Sequence, residues 1–109
     1  MRTVPTDAAR EDILAQFRYY ALDQGVPDVG FRFLDAVEAA IARLGEMPAI
    51  GAPQHFDAPT LAGMRAWPVP GFEDIRMYYL ETADVLLIVR VLHDKRDVRR
   101  ILETEPPRS

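Results

Sequence analysis

The stretch from Asp84 to Asp97, D-V-L-L-I-V-R-V-L-H-D-K-R-D, constrains the chain more than any other. Between Val85 and Leu92 only Arg90 is not aliphatic. A run of aliphatic and β-branched residues without alternation suits a strand covered on both faces. It is far short of the roughly 20 apolar residues that a membrane-spanning helix needs. A helix of the same residues is possible, but the Val and Ile content and the charged flanks favour the strand. Arg90, Lys95, Arg96, Arg99 and Arg100 interrupt or follow the run. The most apolar element therefore hands over directly to the most cationic patch.

The 109 residues suit one domain, 1–109. With 49% apolar and 28% charged residues, the composition is that of a globular chain with a core of its own. There is no cysteine, which excludes disulfides, thiol nucleophiles and thiolate metal sites, and is compatible with a reducing cytoplasm. The start of the chain has no apolar run of the kind a secretory signal needs. Residues 1–60 carry nine acids and five bases, and residues 61–109 eight of each, so the net charge of −4 arises in the first part. An acidic chain is poorly suited to non-specific nucleic-acid binding, though the basic segment after Leu92 is a candidate local anion site. Twelve of the thirteen cations are Arg. Arg favours planar, bidentate contact with carboxylates or phosphates, although a GC-rich genome favours it too.

Residues 2–4 are expected to form a short edge strand stopped by Pro5. Thr6 is placed to cap a helix from Ala8 to about Gln24, buried along Ala9, Ile13, Phe17, Tyr20 and Ala21. Gly25 should end it in the left-handed conformation. Asp28 is expected to cap a second helix, to about Gly45 or Met47, with the stripe Phe33, Leu34, Val37, Ile41 and Leu44. Val29 and Phe31 lie off that stripe, available to the first helix or to a partner. The connection between the helices is so short that they should form an antiparallel hairpin.

Residues 48–63 contain three prolines and two glycines and are expected to form no regular element. Three strands should follow, at Met64–Val69, Ile75–Thr82 and Val85–Leu92. In the second, Ile75, Met77 and Tyr79 share one face, and Arg76, Tyr78 and Leu80 the other. Val98, Ile101 and Leu102 give a short helix, and Glu103–Ser109 a frayed tail. The order predicts an α+β fold, an N-terminal helical hairpin packed on a small antiparallel sheet, with a short C-terminal helix.

Three strings in this order, L-G-E-M-P-A-I-G, M-R-A-W-P-V-P-G-F-E-D-I-R-M-Y-Y-L and V-R-V-L-H-D-K-R-D, resemble the ParE/RelE toxin superfamily of bacterial type II toxin–antitoxin systems. The resemblance spans about Ala8 to Leu102 and is closer to the ParE, or plasmid stabilisation, branch. It implies a cytoplasmic toxin neutralised by a cognate antitoxin in a hetero-oligomer. Operator DNA would be reached only through the antitoxin, and no membrane or cofactor is implied. ParE-branch toxins are associated with inhibition of DNA gyrase. RelE-branch toxins cleave mRNA on the ribosome. A degenerate member that binds antitoxin without toxicity is the remaining alternative.

Cleavage of RNA by its own 2′-hydroxyl needs a base, an acid and cations for the phosphorane. His93, Arg90, Arg65 and Tyr78, with Arg76 as a further cation, are the residues that would supply them. Against this stand the single Lys, the acidic net charge, and the absence of any Tyr after Tyr79. RelE-like nucleases are strongly basic and often carry a late Tyr. We therefore assign no catalytic residue from sequence. Arg65, Trp67, Arg76, Arg90, His93 and Arg96 are the candidates for contact with antitoxin or target. Arg90 should alternatively pair with Asp97 or Asp94, since a buried Arg needs a carboxylate. Asp97 is expected to start the last helix. His55 has no ligand set around it beyond Asp57, so no metal site is expected.

Overall fold

The computed structural model describes residues 1–104. The chain runs β1 (Thr3–Pro5), α1 (Asp7–Arg18), a π-helical turn (Tyr19–Asp23), α2 (Pro27–Glu46), β2 (Ala52–Pro53), β3 (Arg65–Val69), β4 (Phe72–Glu81), β5 (Leu86–His93) and α3 (Val98–Thr104). The five strands form one sheet in the order β1-β5-β4-β3-β2. All neighbours are antiparallel except β1, which lies parallel to β5, so the sheet is mixed. The α+β architecture, the helical hairpin and the short last helix are as the sequence predicts.

Several boundaries differ for physical reasons. Pro5 does not stop β1 but belongs to it, as an edge strand permits. Asp28 is not the cap of α2. Pro27 takes the first helical position, where its missing N–H costs nothing, and Val26 precedes it. The Pro-rich segment 48–63 contains regular structure after all: β2, and a single 3₁₀ turn at Pro59–Leu61. β4 begins at Phe72, three residues before Ile75. Glu103 and Thr104 continue α3; the rest of the expected tail, 105–109, lies outside the described residues. Gly25 has φ of +66° and ends the first helical segment, as expected.

The sheet is buried on both sides. On one face Ile75, Met77, Tyr79, Leu86, Ile88 and Val91 join Phe33, Val37 and Leu44 of α2. On the other, Tyr78, Leu87, Val89 and Leu92 join Leu61, Met64 and Leu102. This double coverage explains why Val85–Leu92 reads as a continuous apolar run rather than an alternating one. Phe31, off the buried stripe, meets the Phe17 ring edge-on at 5.2 Å.

A bulge in β5 fixes how the helices attach. Tyr79 pairs with Ile88 and Tyr78 with Arg90, leaving Val89 as the extra residue. Residues three apart, Ile88 and Val91, therefore point to the helix side. The start of α1 is tied to this irregularity. Thr6 N–H donates to the Ile88 carbonyl at 2.9 Å. Its Oγ1 donates to the Val89 carbonyl at 2.7 Å and accepts from Ala9 N–H at 3.0 Å. One buried threonine thus caps the helix and satisfies the bulge.

Candidate functional site

Arg90 is an internal tether. Its Nε and Nη2 donate to the two carboxylate oxygens of Asp12 at 2.7 and 2.8 Å. Asp12 Oδ2 also accepts from Val91 N–H at 3.0 Å. Both side chains are about nine-tenths buried. The expected partner, Asp97 or Asp94, is thus corrected to Asp12 on α1. Asp12 lies beside Ala9 and Ile13 in the buried stripe of its helix, which is the signal that sequence reading could have used. Asp94 instead lies 3.0 Å from His93 Nδ1. Asp97 starts α3 as expected: its side chain accepts from Arg100 N–H at 3.3 Å and its carbonyl from Ile101 N–H at 3.0 Å.

Arg65 is also engaged within the fold. It donates to the carbonyls of Gly51 and Ala49 at 2.7 and 3.3 Å, holding the loop after α2 against β3. Trp67 packs against the helix-side core, and its indole N–H has no hydrogen-bond partner among the described residues. His93 ends β5, where Nδ1 accepts from Lys95 N–H at 3.1 Å. Its neighbours are Tyr20, Phe72, Glu73 and Asp74.

The opposite face brings together other residues. Tyr78 and Arg76 of β4, Arg96 before α3, and Arg99 on α3 line a cleft of about 290 Å³ with His55, Phe56 and Asp94. Its outer wall is a clamp between α3 and the loop. Arg99 donates to the His55 carbonyl at 2.8 Å and lies 5.3 Å over the Phe56 ring. Glu103 accepts from Asp57 N–H at 2.7 Å. Arg76 and Arg96 make no ion pair among the described residues. Burial pushes the Tyr78 phenol above its usual value of 10, and the positive charge of Arg76 only partly offsets this. At neutral pH the phenol is therefore un-ionised.

The candidate residues are accordingly divided. Tyr78, Arg76 and Arg96 share the cleft. His93 faces the helix side at the end of β5, and Arg65 and Arg90 are held by other partners. The proposed nuclease set of His93, Arg90, Arg65 and Tyr78 does not converge on one point. His55, Phe56 and Arg99 were missed as site residues. The loop that carries the first two gives no periodicity, although an aromatic within a Pro-rich segment was a usable sign of packing.

A mixed five-stranded sheet with an N-terminal helical hairpin on one face and a short last helix on the other defines the class of this protein. The family model described as the ParE toxin of type II toxin–antitoxin system, parDE, matches residues 4–98, and the chain belongs to that family. Among solved structures it is similar to a chain of the "Chromosomal ParDE TA system from P. aeruginosa", with a TM-score of 0.68 and 17% identity over 85% of this chain and 95% of that one. At that identity the likeness is one of fold. Comparison with curated proteins gives no match.

Proposed function

We propose that this toxin is held inactive by a cognate antitoxin and, when released, inhibits DNA gyrase by binding it in the cytoplasm. The division of the candidate residues between the two sheet faces is the observation that supports a binding mode. Acid–base cleavage of RNA needs its base, acid and cations around one phosphate. Here His93 is separated from Tyr78 and Arg76 by the sheet itself, and Arg90 is committed to Asp12. Antitoxin and toxin would form a hetero-oligomer, with operator DNA contacted through the antitoxin.

The alternative, a ribosome-dependent mRNA endonuclease, draws on one observation. The cleft holds an imidazole, His55, beside three guanidinium groups and a neutral phenol. Two assays separate the readings. Purified toxin should block supercoiling of relaxed plasmid by gyrase in a dose-dependent way. It should leave translated mRNA intact in a cell-free system. Full supercoiling at large toxin excess sinks the gyrase reading, and codon-dependent mRNA cuts establish the alternative.

A further inference from the structure

The outer face of the helical hairpin is apolar as well as charged. Among the described residues seven large hydrophobic side chains are exposed, and five of them, Leu14, Tyr19, Leu22, Val26 and Phe31, lie on the hairpin. Leu22 and Phe31 are the most open, at 73% and 57%. Such residues scattered singly are ordinary, but here they gather on one side. Leu14 and Leu22 share a stripe of the first helical segment, and the wider π-helical turn keeps Leu22 in line with Arg18 between them. The chain then turns back, and Val26 N–H donates to the Tyr20 carbonyl at 2.8 Å. Phe31 follows one turn into α2, against the edge of Phe17.

The charges of this face are sorted by helix. The stripe that starts on α1 reads Arg10, Leu14, Arg18, Leu22, at intervals of four. The stripe of α2 reads Phe31, Asp35, Glu38, at intervals of four and three. One opposite charge borders each stripe, Glu11 on the first and Arg32 on the second. Arg18, Asp35 and Glu38 make no ion pair among the described residues, and Arg10 pairs only with Asp7, a neighbour as exposed as itself. A Cβ at Gly30 would lie 3.0 Å from the Phe17 ring, so the two helices lie close together there. Counting along both helices from that contact puts Leu14 level with Leu34 and Arg10 level with Glu38, with Asp35 between the levels of Arg10 and Arg18.

We propose that this face pairs two copies of the chain about a two-fold axis parallel to the helices, with α1 of each copy lying against α2 of the other. Every neighbour in the resulting four-helix bundle is antiparallel. Leu14 then faces Phe31 and Leu34 of the partner subunit, and Arg10 and Arg18 face Asp35 and Glu38 of the partner subunit. The other two-fold docking, α1 on α1 and α2 on α2, sets arginine against arginine and carboxylate against carboxylate, which costs affinity. The first helical segment, 12 residues of α1 and 5 of the π-helical turn, is about 25 Å long. Two helices side by side are about 20 Å wide, so the contact covers about 500 Å² on each copy. That is the low end for a specific interface, and the dimer is expected to be reversible, with a Kd of roughly 10–100 µM. The hairpin lies across the sheet from the cleft beneath α3, so the inference goes beyond the proposed function and does not depend on it.

Sedimentation velocity of the full chain, over a series from about 1 to about 300 µM, tests this. The weight-average mass should rise from that of a monomer toward that of a dimer. Leu14→Glu should weaken pairing at least about tenfold, by placing a carboxylate in the apolar centre of the contact. Leu14 is 45% exposed, so the monomer should keep its fold. Arg10→Glu and Glu38→Arg should each weaken pairing about three- to tenfold, because each reversal is felt twice across the two-fold axis. An equimolar mixture of these two variants should associate again, since each reversed charge then meets the other. An effect confined within one copy would not be rescued by mixing. Thermal melting of each variant reports folding separately. A chain that stays monomeric throughout, a dimer undiminished by Leu14→Glu, or a mixture that associates no better than its two components overturns the proposal. Neither gyrase nor an antitoxin is present, so these outcomes are independent of the supercoiling result.

Discussion

Replacing Asp12 by Ala is expected to destabilise the fold by about 3–5 kcal/mol, the usual cost of removing one member of a buried ion pair. The carboxylate is the meeting point of three donors, Arg90 Nε, Arg90 Nη2 and Val91 N–H. Two elements 78 residues apart in sequence are joined by it. Its loss leaves a buried guanidinium without this partner and a strand N–H without its acceptor, next to the bulge. The pair need not be optimal. Asp12→Leu combined with Arg90→Met, which replaces charge by apolar volume, should recover much of the loss. Urea unfolding measures both. A loss below about 1 kcal/mol in Asp12→Ala would mean that the pair is solvated and weak.

Gly51→Ala is expected to be the second severe change. A Cβ at position 51 would lie 2.5 Å from Tyr79 Oη, 2.8 Å from its ring and 2.9 Å from the Ala66 carbonyl. Neither neighbour is free to move. Ala66 is backbone in β3, and Tyr79 is fully buried, accepting from Gly51 N–H at 2.8 Å and donating to the Pro48 carbonyl at 2.7 Å. Overpacking costs about 1–3 kcal/mol, and a strained or lost hydrogen bond adds about 1. Removing the phenol oxygen relieves the closest contact. In a Tyr79→Phe background, Gly51→Ala should therefore cost measurably less than in the wild type, a coupling that a double-mutant cycle reads directly. Strict additivity would show that the two residues do not press on each other.

The elements that are legible in the sequence are those whose packing is periodic. The helical stripes, the two faces of β4 and the doubly covered β5 follow from residue spacing alone. What sequence reading missed depends on contacts between distant segments. Nothing local to Arg90 distinguishes Asp12 from Asp94 or Asp97 as its partner; only the docking of α1 on the bulge does so. The irregular loop 48–63 shows no period, yet Phe56 and Leu61 in it help to cover the second sheet face. Arg65 and Arg76 look alike as exposed cations on adjacent strands. The first is bound to loop carbonyls, while the second opens onto the cleft. Their strand faces distinguish them, because Arg65 pairs opposite Tyr79 and Arg76 opposite Pro68.

The central claim is that toxicity arises from a binding surface rather than from a catalytic histidine at the end of β5. A gyrase supercoiling titration with the wild-type toxin and its His93→Ala variant, both shown to be folded, tests it most directly. The account predicts inhibition by both proteins at similar concentrations. Uninhibited supercoiling with the wild type at large excess would contradict it.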